Sequence, residues 1–147
     1  MGMIVLDASV LIAFSRKDDQ HHGDAIDLLA APETEFVVNQ VTMAEYLIRP
    51  AQLGRDVEAD MDRLCHTASI RLVAESELTT GVPWPVTLAK VHAATGLKMP
   101  DAIVLATAEL LNAQVCTFDT GLEKAALTRP TTSTTPVTGL KRRSQPN

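Results

Sequence analysis

Short runs of branched apolar residues alternate along this chain with longer stretches in which apolar positions recur every three or four residues. The first pattern marks strands buried on both faces, the second amphipathic helices. Met3-Ile4-Val5-Leu6 is the opening strand run and stops at Asp7, and Ala8 to Phe14 predicts a short helix leaving that strand's end. After the polar break Arg16 to Gln20, a helix is expected over 23–31, with Ala25, Ile26, Leu28 and Leu29 inward, Asp24 and Asp27 outward, and Pro32 as the stop. Residues 35–38 read as a second strand. A helix over 40–48 carries Glu45 and is closed by Pro50. Another is expected over 51–68, where Val57, Met61 and Leu64 share one face against Arg55, Glu58, Asp62 and Arg63 on the other. A third strand is expected over 70–74, a turn over 81–85, and a helix over 86–95 that Gly96 ends. Pro100 opens a helix reaching about Leu111, since proline is favoured where the N–H would be unpaired anyway. A fourth strand over 114–118 runs into Asp119, and a short helix follows over 122–127. Residues 131–135 form a low-complexity polar stretch, 137–138 a candidate last strand, and 141–147 a basic tail.

Strands alternating with helices imply an α/β fold, a parallel sheet covered on both faces. In such sheets ligands bind beyond the C-terminal ends of the strands, where Asp7 and Asp119 both lie. At 147 residues the chain amounts to one domain, and 46% apolar with 21% charged residues is the balance of a folded protein. No apolar run approaches the ~18 residues of a membrane helix. The N-terminus carries no basic leader, so export is not expected. Cys65 and Cys116 are isolated, which supports neither a disulfide framework nor a thiolate zinc site and suggests two buried thiols in a reducing cytosol. The formal charge of −5 argues against affinity for nucleic acid through bulk charge. It leaves open an enzyme whose acids gather around a cation, because a bound metal inverts the local sign. Aromatic residues are only 3% of the chain, which argues against a base-stacking platform.

Four acids interrupt the apolar pattern: Asp7 within the passage Met3 to Phe14, Glu45 on a mostly apolar helix, Asp101 opening the helix Ala102 to Ala106, and Asp119 ending the fourth strand. Each also has a purely structural explanation. Asp101 complements a helix dipole, Asp119 with Gly121 is turn chemistry, Asp7 caps the helix that follows, and Glu45 points to solvent. Taken together, ionised carboxylates packed at a sheet edge repel one another and lose hydration, which costs several kcal/mol per unpaired charge. Such a cluster needs neutralising, and hard divalent cations prefer all-oxygen sites. A cation there makes bound water a better nucleophile and stabilises charge on a phosphoryl oxygen, which suits phosphodiester hydrolysis.

Leu6-Asp7-Ala8-Ser9-Val10-Leu11-Ile12, the internal Ala44-Glu45, Pro100-Asp101-Ala102-Ile103-Val104-Leu105-Ala106 and Thr117-Phe118-Asp119 resemble PIN-domain ribonucleases. The resemblance is nearest to the VapC toxins of bacterial VapBC toxin–antitoxin pairs. It extends from Met3 to about Leu127, its first and third motifs are the most specific, and the tail beyond Thr128 departs from it. It implies a PIN-like three-layer α/β/α sandwich with a four- or five-stranded parallel sheet, a PIN domain over 1–140 and a basic tail over 141–147. It also implies a cytoplasmic bacterial endoribonuclease toxin dependent on Mg²⁺ or Mn²⁺, hydrolysing RNA through a metal-activated water. Asp7, Glu45, Asp101 and Asp119 take the places of the family's catalytic metal site: Asp7 and Asp101 as main ligands, Glu45 and Asp119 completing it directly or through water, and Ser9 and Thr117 as supporting hydroxyls. The implied partners are a cognate VapB-like antitoxin, RNA and a second copy in a homodimer, with no membrane. The alternative is a non-catalytic PIN-like scaffold that binds proteins, against which retention of all four acids speaks.

Other features are weighed against plainer readings. His21-His22 beside Asp18, Asp19 and Asp24 suggests a second metal site, but a solvated helix entrance that rims the RNA groove fits better because no ligand spacing recurs. His66 and His92 stand alone. Arg16, Lys17, Arg49 and Lys98 lie near the acids in sequence and are either phosphate contacts or ordinary surface charge. Met43, Leu47, Ile48, Val57, Met61 and Leu64 are either core or a groove for an antitoxin helix. Aspartyl-phosphate phosphatases need a second aspartate where Ser9 stands, and receiver-like phospho-acceptors need an acidic neighbour that Asp7 lacks.

Overall fold

The computed structural model describes residues 2–129 and the strand pair 133–134. Among the described residues five strands form one parallel sheet: β1 (Gly2–Leu6), β2 (Thr34–Val38), β3 (Ile70–Leu72), β4 (Gln114–Cys116) and β5 (Ser133–Thr134), in the order β3-β2-β1-β4-β5. Seven helices among the described residues cover it: α1 (Ala8–Ser15), α2 (His22–Leu29), α3 (Gln40–Gln52), α4 (Val57–Ala68), α5 (Trp84–Thr95), α6 (Met99–Leu111) and α7 (Thr120–Thr128). Among the described residues no helix is long and apolar enough to cross a membrane.

Strand periodicity divides the core. Ile4, Leu6, Phe36, Val38, Ile70 and Cys116 point to one face, where they pack with Val10, Leu11, Leu28, Met43 and Leu64 of α1 to α4. Val5, Val37 and Val115 point to the other, against α5, α6 and α7. Side chains two apart share a face, so strands of this composition need cover on both sides. Helix α6 is the centre of the second layer: every residue from Ala102 to Ala108 is buried. This is the three-layer arrangement that the alternating pattern predicts.

Several boundaries differ from the sequence reading. Pro50 does not close the third helix; α3 runs through it to Gln52. Proline there forfeits only one backbone bond in the last turn, and the Leu53 N–H still reaches Arg49 O at 3.1 Å. The expected 51–68 helix begins only at Val57. Gly54 adopts φ +71°, and Asp56 caps the new start by accepting the Ala59 N–H at 3.1 Å. Arg55 therefore lies off the helix and forks onto Asp60 at 2.7 and 2.8 Å, with Arg63 also on Asp60 at 3.0 Å. A 3₁₀ turn, Glu75–Leu78, was not anticipated. The polar stretch 131–135 contains β5, in which Ser133 pairs with Gln114; an edge strand is held by its backbone and needs no apolar side chains. The candidate strand at 137–138 and the tail at 141–147 lie outside the described residues. Cys116 is buried and Cys65 only partly so.

Candidate metal centre

The chain leaves β1 towards β2 and β3 on one side and returns to β4 on the other, so the order reverses between β1 and β4. Such a reversal opens a crevice at the carboxyl ends of the two strands. Leu6 pairs with Cys116 in the last rung, and the Asp7 N–H donates to Cys116 O at 3.0 Å. The next residues of the two strands, Asp7 and Thr117, are thereby placed side by side at the crevice, and both are buried.

Asp7 stands at the N-cap position of α1, yet its side chain makes no capping hydrogen bond. Its carboxylate is held differently. Oδ2 accepts from Ser9 Oγ at 2.7 Å and from Thr117 Oγ1 at 2.8 Å. Both hydroxyls are anchored in turn, Ser9 Oγ by the Phe118 N–H at 3.1 Å and Thr117 Oγ1 by the Asp119 N–H at 2.9 Å. One carboxylate oxygen is thus fixed by two donors, and Oδ1 has no hydrogen-bond partner among the described residues.

The other acids arrive on three helices. Asp119 caps α7 through Oδ1, which accepts the Leu122 N–H at 3.0 Å, so its structural role is real and leaves Oδ2 uncommitted. Asp101 lies in the first turn of α6, half-buried. Burial raises its pKa, the charges of Asp7 and Asp119 raise it further, and Lys98 opposes them. Glu45 lies on the exposed face of α3, yet lost hydration and the charges of Asp7 and Asp101 raise its pKa as well. The four acids therefore share one electrostatic neighbourhood. Among the described residues no three His, Cys, Asp or Glu side chains already stand at metal-ligating spacing. The donor set still fits a hard divalent cation: it is all oxygen, it carries free carboxylate oxygens, and its mutual repulsion is opposed by Lys98 alone among the charges acting on Asp101.

Two buried residues that hold this arrangement escaped the sequence reading. Asn39 follows β2 as Asp7 follows β1. Its Oδ1 caps α3 through the Val41 N–H at 2.8 Å, while its Nδ2 donates to Thr107 Oγ1 at 3.0 Å. Thr107 is on α6, so this bond ties the helix bearing Glu45 to the helix bearing Asp101. An asparagine between a strand run and a helical run is a capping signal that could have flagged it.

The remaining candidates separate. Lys98 faces Asp101. Arg16 and Arg49 instead line a cleft of about 390 Å³ among α1, α3 and α4, with Ile12, Phe14, Tyr46, Leu53 and Leu64. His21 stacks flat on Phe118 at 4.3 Å between ring centres, and His22 Nδ1 is paired with Ala13 O at 2.8 Å. Met43 and Leu64 are core, Met61 packs against the core, and the exposed large apolar residues of α3 and its end are Val41, Ile48 and Leu53. Burial on the α3 and α4 faces is set by which side meets the sheet, and that places Met43 inside.

Residues 4–127 match the family described as the PIN domain. A toxin–antitoxin complex from Klebsiella pneumoniae is similar in structure, with a TM-score of 0.62 at 20% identity over 89% of this chain and 96% of that one. VapC20 from Mycobacterium tuberculosis, described as a sarcin–ricin-loop-cleaving toxin, has a TM-score of 0.61 at 17% identity over 83% and 94% of the two chains. VapBC-1 from nontypeable Haemophilus influenzae has a TM-score of 0.61 at 16% identity, over 92% and 98%. At these identities the likeness establishes a shared fold. No curated protein sequence matches the chain.

Proposed function

The chain belongs to the PIN-domain family, and from that premise we propose that it is a Mg²⁺- or Mn²⁺-dependent endoribonuclease, the toxin of a bacterial VapBC-type toxin–antitoxin pair. The observation that carries this reading is the state of Asp7. A carboxylate fixed through one oxygen by two hydroxyls, that of Thr117 buried and that of Ser9 partly so, with the other oxygen free near further acids, is organised to receive a cation rather than to cap a helix. Asp7 and Asp101 would be the main ligands, and Glu45 and Asp119 would complete the site directly or through water. A cation held there would supply acidification of a water and positive charge near a phosphoryl oxygen.

The chain's own part is positioning. Ser9 and Thr117 aim Asp7, and the cap on Leu122 orients Asp119. The Asn39–Thr107 bond sets the spacing of α3 and α6, and Lys98 offsets the charge that a phosphate backbone would meet. The antitoxin reading is supported by the cleft among α1, α3 and α4, whose apolar walls and flanking arginines suit an amphipathic segment from a VapB-like partner in the cytoplasm. A homodimer is the assembly expected of the toxin.

The test is divalent-ion binding together with cleavage of a mixed RNA substrate. Saturating Mn²⁺ should raise the melting temperature of the wild type, by linkage to the folded state alone. Asp7→Asn should lose both the rise and the cleavage while retaining its circular dichroism spectrum. Undiminished cleavage by a purified, folded Asp7→Asn variant would refute the reading.

A further inference from the structure

A second cleft, of about 460 Å³, lies between the C-terminal end of α5 and α7. One of its walls comes next to Asp119. Gly121 forms part of its wall, and a Cβ built on Gly121 would stand 3.2 Å from Asp119 Oδ1. Leu97, on another part of the wall, immediately precedes Lys98, whose charge reaches Asp101. Glycine is a poor helix former, and Gly121 is not among the glycines with positive φ, so the backbone does not require it there. Its effect is to keep a Cβ away from the Asp119 carboxylate at the edge of the cleft.

The lining has two characters. Ala94, Leu97 and Ala125 are apolar, while Lys124 and Arg129 are cationic. Arg129 is spent on Glu109, which it grips through Nε and Nη2. Lys124, one helical turn from Gly121, has no ion-pair partner among the described residues. The volume falls within the range of pockets that enclose small ligands, ~300–1,000 Å³. An apolar wall beside an uncommitted ammonium, with Gly121 at its edge next to Asp119, is complementary to a base and its backbone phosphate. A strand whose phosphate approaches four acids also needs cations nearby to offset the repulsion.

We propose that this cleft holds the nucleotide next to the scissile phosphate of a single-stranded RNA. Lys124 neutralises a backbone phosphate, and Ala94, Leu97 and Ala125 meet the base. This rests on the ribonuclease reading of the acids and adds a substrate-positioning site that none of the four acids supplies.

The test uses the full chain carrying Asp7→Asn, so that RNA is bound without being cut, with a short fluorescent single-stranded oligoribonucleotide titrated at several salt concentrations. Lys124→Ala should weaken binding about tenfold, the loss of one charge-assisted contact. It should also lower the slope of log affinity against log salt by about 0.7, the signature of one lost contact to a single-stranded phosphate backbone. Lys124→Arg should keep both. Ala94→Trp, which fills the cleft from an exposed position, should also weaken binding. In the otherwise wild-type chain it should reduce cleavage and leave the Mn²⁺-induced rise in melting temperature unchanged. Lys90→Ala, on the exposed face of α5 outside the cleft, should change nothing. If the wild type cleaves RNA while Lys124→Ala and Ala94→Trp bind and cut at parental levels, the cleft is not a subsite and the nuclease reading stands. If the wild type neither binds nor cleaves RNA, both fall.

Discussion

Thr117→Val is the substitution that asks most of the hydroxyl network. Thr117 is 3% exposed, and its hydroxyl donates to Asp7 Oδ2 at 2.8 Å while accepting the Asp119 N–H at 2.9 Å. Valine keeps the shape and deletes both bonds. A hydrogen bond to a charged group is worth ~1.5–3 kcal/mol, and a buried donor left unpaired costs ~1–3 kcal/mol. The two do not simply add. Ser9 Oγ still donates to Asp7 Oδ2 at 2.7 Å, and Asp119 is exposed enough for water to reach its N–H. The expected loss is therefore ~2–4 kcal/mol, or about 5–12 °C in melting temperature for a chain of this length. Urea unfolding followed by circular dichroism at neutral pH, without divalent ions, measures it. Thr117→Ser should recover most of the loss. Cleavage by Thr117→Val should fall ~10–100-fold, as when a group that orients a metal ligand is removed. A Thr117→Val protein within about 0.5 kcal/mol of wild type, the ordinary spread of neutral surface changes, would show that the hydroxyl does not hold Asp7.

The remaining expectations concern charge and the α3 face. The Asp101 carboxyl is raised above its ordinary 3.8, so the fold favours its protonated form. The contribution of Asp101 to the stability of the metal-free chain is then fully present below 3.8 and is lost as pH rises through the raised folded value. Asp101→Asn should remove that loss and stabilise the metal-free chain at neutral pH, with the gain vanishing below 3.8. Melting curves at a series of pH values check this, and a gain independent of pH would contradict it. Met43→Glu places a charge at a position 2% exposed and should unfold or severely destabilise the chain. Leu53→Glu, at 60% exposure on the wall of the cleft among α1, α3 and α4, should leave the fold intact and weaken binding of a cognate antitoxin. Circular dichroism and a pull-down with the antitoxin separate the two outcomes.

Much of the architecture was legible because its causes are local. The apolar runs at 3–6 and 36–38 have no polar face, so strands there had to be covered on both sides, and the resulting two-layered core is observed. Asp7, Asp101 and Asp119 stood out because each breaks an apolar pattern next to a strand or helix end. Boundaries were less legible where a residue's usual effect depends on position. Pro50 would break a helix at its middle but is tolerated in the last turn of α3, and the break falls instead at Gly54.

What the sequence by itself determined is the order of strands and helices, a parallel sheet, and the residues available for chemistry at strand ends. These follow from side-chain periodicity and backbone preferences, which act over a few residues. Tertiary structure alone decided which ends share a crevice, because strand order depends on how each crossover packs. It placed β4 beside β1 on the side away from β2 and so brought Thr117 from the far end of the chain onto Asp7 Oδ2. It also showed that Asp119 both caps α7 and joins the acids, that Asn39 and Thr107 bind α3 to α6, and that Met43 is core while Ile48 is surface. Each of these depends on a contact between segments far apart in the chain, and the energy of such a contact exists only once the sheet has closed the distance between them.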